Sequence, residues 1–195
     1  MSGLLLRGRR IELRPLVVGD AADLLASIDN DEVWSWKPVP RPTDRVQMEQ
    51  LIRQVMIGPN GDRCPFAIVS RSAATIIGST TLHSVDPVAA RAEIGWTWLA
   101  RRYWGQGYNE EMKLLLLQHC FEVLGLLRVQ FTVDDQNQRS QRALHRMGFE
   151  LEGRLRSTGF RVDGSRRDTL VYGVLASEWP DARSRLQSPG ARPAG

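Results

Sequence analysis

The stretch Arg102-Tyr103-Trp104-Gly105-Gln106-Gly107-Tyr108-Asn109 stands between two segments of different periodicity. Before it, Ala92-Glu93-Ile94-Gly95-Trp96-Thr97-Trp98-Leu99 alternates as a strand does, with Ile94, Trp96 and Trp98 on one face and Glu93, Gly95 and Thr97 on the other. After it, residues 110–124 form a long apolar helix-like run that ends at Gly125, a C-cap residue. A glycine-rich turn between a strand and a helix offers unpaired backbone N–H groups at the positive end of a helix dipole, which makes a site for a phosphate. Gly105 and Gly107 let the backbone approach such a group where a Cβ would obstruct it. The spacing Arg-x-x-Gly-x-Gly is not Gly-x-Gly-x-x-Gly, and no Lys-Ser/Thr pair follows as a P-loop requires.

Outward from this turn the chain reads as mixed α/β. Upstream, residues 9–16 alternate as a half-buried strand, residues 21–28 form a short helix, and a loop rich in proline and aromatics spans 29–42. Thr43 can cap a second helix whose Met48, Leu51, Ile52, Val55 and Met56 share one face. Residues 66–70 and 75–82 read as strands joined by a polar turn. Downstream, residues 128–133 alternate with Val129, Phe131 and Val133 on the apolar face, and residues 140–147 form a helix stopped at Gly148. Residues 149–156 and 169–175 read as an antiparallel pair, with Asp163-Gly164 as a turn signal between them. This order predicts a mixed sheet with helices on both faces, in one domain over residues 1–180. A disordered tail rich in Pro, Gly, Ser, Arg and Ala is expected over 181–195.

With 195 residues, 42% hydrophobic and 25% charged, the composition is that of a soluble globular domain. The longest apolar runs, such as residues 114–117, fall far short of the roughly 20 residues that cross a bilayer. Residues 1–7 lack a basic leader and are not read as a signal peptide. Cys64 and Cys120 form no Cys-x-x-Cys pair, and His83, His119 and His145 are far apart. Neither a disulfide framework nor a metal site is expected, and a cytoplasmic location fits. The net charge is +4, and of 26 basic residues only Lys37 and Lys113 are lysine. The arginine excess fits either a compositional bias or an affinity for phosphates, which the guanidinium fork grips in bidentate fashion. The arginines are scattered among acidic residues without an aromatic-laced stripe, which argues against nucleic acid.

Four ordered segments carry a family resemblance. The glycine-rich turn resembles the pyrophosphate-binding turn of the GNAT N-acetyltransferases, and residues 92–99 resemble the central strand of that family's RimJ/RimL-type branch, the ribosomal-protein-serine/alanine acetyltransferase-like proteins. Asp135-Gln136-Asn137, Ser140 and Gly148-Phe149 are similar to the branch's Asn-x-x-Ser…Gly-Phe element. Glu152-Gly153, Asp163-Gly164, Arg167-Asp168, Tyr172 and Glu178-Trp179-Pro180 resemble its closing hairpin and end. The resemblance runs over roughly residues 8–180. It implies the acyl-CoA N-acyltransferase fold, a central mixed but mostly antiparallel sheet flanked by helices. It implies acetyl-CoA as cosubstrate without a metal, and direct attack of a primary amine in a ternary complex. The implied acceptor is a protein N-terminal α-amine. A small-molecule amine or aminoglycoside is the enzymatic alternative, and a catalytically silent acyl-CoA-binding module is another. A homodimer follows from the same analogy.

Roles follow residue by residue. The N–H groups from Trp104, Gly105, Gln106, Gly107 and Tyr108 form the implied phosphate cradle, with Asn109 at the helix start and Arg102 as supporting charge. Trp98 and Leu99 lie beside the implied thioester, where a backbone N–H faces the oxyanion. Asn137 offers its amide to the pantetheine arm, or caps the following helix. Ser140 assists the departing thiolate, or caps the same helix; a thiol pKa of ~8.5 means that modest help suffices. Some relatives carry a glutamate shortly after the Glu-Gly element, but here Ser157-Thr158-Gly159-Phe160 holds no carboxylate. Glu93 is the remaining candidate for general base, acting through a water, unless it pairs with an arginine. Trp34, Trp36 and His83 are expected at the acceptor pocket, the alternative for each being burial in the core.

Overall fold

A computed structural model describes residues 3–57 and 63–187, the side chain of Val55 excepted. Its elements run β1 (Leu6–Arg7), β2 (Ile11–Pro15), α1 (Ala21–Ala26), α2 (Arg45–Leu51), β3 (Cys64–Ser70), β4 (Thr75–Asp86), β5 (Arg91–Leu99) and α3 (Tyr108–Gln118). They continue through β6 (Arg128–Asp134), α4 (Gln138–Arg146), β7 (Glu150–Phe160), β8 (Arg166–Leu175) and α5 (Trp179–Gln187). The strands form one eight-stranded sheet in the order β1-β2-β3-β4-β5-β6-β8-β7. Every neighbouring pair is antiparallel except β5 with β6. The expected mixed, mostly antiparallel sheet is thus present, with an extra two-residue strand at its first edge.

Each face of the sheet buries its own apolar layer. On one, Leu24, Met48, Leu51, Ile52 and Met56 from the α1–α2 region pack against Ala67, Ile76 and Trp98. On the other, Met112, Leu116 and Leu117 of α3 and Ala182 and Leu186 of α5 cover Ile11, Ile68, Leu82, Ile94 and Val129. The cap of α2 is Asp44 rather than Thr43: its carboxylate accepts from Gln47 N at 2.8 Å. The long helix continues past α3 in a π-helical turn, His119–Val123, and ends as expected at Gly125, with φ +65°. No helix among the described residues is long and apolar enough to cross a membrane.

Two further expectations are corrected. Residues 181–187 are not tail but most of α5; Trp179, Ala182 and Leu186 are buried on α3, and burial of that stripe offsets the polar composition. Residues 188–195 lie outside the described part. The second correction concerns β5, whose alternation breaks. Thr81 pairs with Gly95 and Ser79 with Trp98, so two steps on β4 oppose three on β5. The extra residue is a β-bulge, and Trp96 takes a positive φ of 52° within it. Ile94 and Trp98 therefore face opposite layers.

Candidate active site

The bulge makes the site. β5 and β6 stay in register only at Arg91–Arg128, Ala92–Val129 and Glu93–Gln130. Beyond Glu93 the two parallel strands run apart, and a cleft of about 640 Å³ opens between residues 95–99 and residues 131–134. α3 begins just after β5 and α4 just after β6, so both helix N-termini lie at the carboxyl ends of the parting strands. That is where open α/β sheets receive ligands, and two helix dipoles there favour an anion.

The glycine-rich turn closes one end of the cleft. Gly105 has φ +70° and Gly107, the N-cap of α3, φ +83°, values that L side chains adopt at a cost. A Cβ on Gly105 would meet nothing within 4 Å, so the space beside this backbone is open to a ligand. Trp104, Gly105 and Asn109 border the cleft. The carbonyl and side chain of Gln106 and the ring of Tyr108 brace the turn. Gln106 accepts from Arg10 through its carbonyl and donates to Arg102 O at 2.6 Å, while Tyr108 packs edge-on against Tyr103 at 5.0 Å. Arg102 does not face the cleft; its guanidinium donates to Asp29 at 3.1 Å on the exterior. The cation over the turn is Arg139, stacked 3.5 Å from the Trp104 ring centroid. Arg139, Arg142 and Arg146 all line the cleft from one face of α4. Their i, i+3, i+7 spacing was the sequence signal for this stripe.

Trp98 points its indole away from the cleft, donating to Ser27 Oγ at 3.2 Å and packing edge-on against Trp34 at 5.2 Å. Trp98 and Leu99 nevertheless border the cleft. Trp34 is therefore core, 5% exposed, with its N–H given to Val39 O; its expected place at the acceptor is corrected by packing against Trp98. Trp36 lies on the cleft, as do His83 and Glu93. Asn137 caps α4, its Oδ1 accepting from Ser140 N at 3.1 Å, and both residues border the cleft. The hydroxyl of Ser140 has no hydrogen-bond partner among the described residues, so it can serve a ligand.

Among the described residues Glu93 pairs with no arginine. Its carboxylate accepts from Thr132 Oγ1 at 2.6 Å and Gln130 Nε2 at 2.9 Å, and His83 Nε2 lies 3.8 Å away. That last gap suits a bridging water. Near the hairpin, Asp168 places a carboxylate against Ser157, in the stretch that lacks the glutamate, but it is engaged. It accepts from Ser157 N at 2.8 Å and Arg154 Nε at 2.8 Å, and these bonds hold it below the usual carboxylate range. Asp134 is likewise bound bidentately by Arg161.

Both lysines of the chain reach the cleft, which composition alone did not reveal. Lys113, on α3, is buried with its ammonium 4.4 Å from the Phe131 ring centroid and no carboxylate partner among the described residues. Burial pulls it down to about 7. Lys37 donates to Thr97 O at 2.9 Å. Burial and then the charges of Lys113, Arg139 and Arg167 bring it to about 7. Burial pushes the Cys120 thiol up to about 12, so it is no nucleophile.

Residues 10–150 match the family described as Acetyltransferase (GNAT) domain. The "Uncharacterized N-acetyltransferase p20" of Bacillus licheniformis is 28% identical over 171 residues, covering 87% of this chain and 95% of that protein. A GCN5-related N-acetyltransferase from Brucella melitensis superposes with a TM-score of 0.88 at 26% identity, over 96% of this chain and 85% of that one. RimJ of Mycobacterium smegmatis, solved in complex with CoA-disulfide, superposes with a TM-score of 0.77 at 28% identity, over 96% and 94% of the two chains. The parting strands, the glycine-rich turn and the family match over most of the chain lead to one assignment: this chain belongs to the GNAT family of N-acetyltransferases.

Proposed function

We propose that this enzyme transfers the acetyl group of acetyl-CoA to a protein N-terminal α-amine. Its family uses acetyl-CoA, which supplies the acetyl thioester, and the cleft suits that donor. The open space at Gly105, two helix N-termini and the arginine stripe of α4 answer its phosphates. The parted edge of β5 near Trp98 supplies N–H groups for the oxyanion that develops when an amine attacks the carbonyl. Ser140 Oγ donates to the departing sulfur, and Glu93, fixed by Thr132 and Gln130, takes the amine's proton through a water shared with His83.

The single observation that carries the acceptor class is the charge of the cleft. Arg139, Arg142, Arg146 and Arg167 line it, while Asp134, one of its few carboxylates, is already held by Arg161. Such a wall repels a polycationic aminoglycoside. It tolerates a single α-amine, whose pKa of ~7.7–8.0 leaves a useful neutral fraction and asks little of the base. The likeness to RimJ supports the same class. The test is thiol release from acetyl-CoA against a panel of N-terminal peptides, free amines and aminoglycosides. Release with peptides but not with N-terminally blocked ones is expected. Release with aminoglycosides alone would overturn the acceptor assignment, and donor binding without release for any class would favour a silent module.

A further inference from the structure

The chain holds only two lysines, and both stand in the cleft rather than on the surface. Lys37 is the better placed. It sits in the loop between α1 and α2, flanked by Trp36 and Pro38, which also line the cleft. Its Nζ reaches across to the bulge of β5, donating to Thr97 O at 2.9 Å, with the Trp98 ring centroid 5.1 Å and the Trp96 ring centroid 5.7 Å away. Thr97 immediately precedes the Trp98 backbone assigned above to the oxyanion. A primary amine of the chain itself thus stands in the cleft one residue from the backbone assigned above to the oxyanion.

We propose that Lys37 is an internal acceptor, and that the enzyme acetylates its own Lys37 Nζ from acetyl-CoA. The proposal rests on acetyl-CoA being the donor. In the step, the nitrogen lone pair of Lys37 forms the C–N bond to the acetyl carbon. The C–S bond breaks with its electrons passing to sulfur, and the surplus proton on nitrogen ends on the thiolate. The products are an amide at Lys37 and free CoA thiol, with no change of oxidation state. Tethering the amine beside the donor replaces a bimolecular encounter by an intramolecular one. No carboxylate pairs with Lys37 among the described residues, and burial, then its cationic neighbours Lys113, Arg139 and Arg167, favour its neutral, nucleophilic form. Lys113 is an internal comparison: it is equally a lysine of the cleft, but its ammonium lies over Phe131 rather than on the bulge.

The full chain is incubated with isotopically labelled acetyl-CoA and no added acceptor, and followed by intact mass and by peptide mapping after cleavage at arginine. One labelled acetyl group at Lys37 is expected, at a rate independent of protein concentration. Lys37→Arg should gain none there, and the urea-unfolded chain should label far more slowly. Label on Lys113 alone, equal labelling of the unfolded chain, or a rate that scales with protein concentration would overturn the proposal. A calorimetric titration of the same preparation separates the two assignments. Failure to bind acetyl-CoA would remove the donor itself. Binding and turnover of an added peptide with Lys37 left unmodified would remove only the internal acceptor.

Discussion

Ser140 and Glu93 differ in how the fold commits them. Ser140 gives its backbone N–H to the Asn137 cap, which fixes its place at the start of α4, on the border of the cleft. Ser140→Ala keeps that backbone bond and removes only the hydroxyl. We expect turnover to fall about ten- to a hundredfold, the lower range for acid–base assistance, because a thiolate is already a fair leaving group. The KM for acetyl-CoA should move little. Steady-state kinetics decide, since unchanged turnover would leave Ser140 a structural residue of the helix start. Glu93 is held from two sides by Thr132 and Gln130. Glu93→Gln preserves shape and removes the proton acceptor, so turnover should drop about a hundredfold with donor affinity retained. An equal loss in Glu93→Gln and in Thr132→Val would fit positioning rather than proton transfer. Dead Glu93→Gln with a mildly slowed Thr132→Val would support the base.

The bulge of β5 is the element on which the site depends. β4 crosses it so closely that a Cβ on Gly78 would overlap Trp98 O and lie 2.9 Å from Leu99 Cα, both backbone atoms that cannot swing aside. Gly78→Ala should therefore shift β5, cost about 1–3 kcal/mol by overpacking, and weaken acetyl-CoA binding in step. Urea unfolding and calorimetry measure the two losses. A variant with wild-type midpoint and affinity would show that this contact does not hold the bulge. The same element marks the limit of what the sequence discloses. The succession of the main elements along the chain, the helix after the glycine-rich turn and the stop at Gly125 were legible, because period and cap residues are local signals. The bulge was not: Ile94, Trp96 and Trp98 alternate perfectly on paper, and only pairing with β4 reveals the extra residue. Trp34 was misplaced for a related reason, since its partner Trp98 was assigned to the wrong face. Arg102 drew attention by sitting in the turn, while Arg139, distant in sequence, carries the charge over it. Residues 181–187 looked like tail because two buried side chains in a polar segment are a weak signal.

For the molecule as a whole, a cleft crowded with cations is a cost to the folded state that an anionic ligand offsets. Lys113 shows it most clearly, being almost fully buried without a carboxylate partner among the described residues. Its ordinary value of 10.5 is brought to about 7 by burial. Well below pH 7 the folded and unfolded chains both carry the proton, and the folded chain bears the whole penalty of a buried ammonium. From about pH 7 to 10.5 the unfolded chain binds the proton and the folded chain does not, so stability rises with pH, by up to about 1.4 kcal/mol per unit. Above that window the contribution is flat. Lys37 acts with the same sign, since its value is lowered too. Lys113→Met fills similar volume beside Phe131 and removes the charge. Its urea midpoint should exceed that of the native chain by a margin worth up to about 5 kcal/mol below about pH 7. The margin should shrink steadily as pH climbs toward 10.5. A margin independent of pH would mean that the gain came from packing. A less stable variant would mean that the ammonium over Phe131 supports the fold, and the cationic cleft would then carry no stability cost at this position.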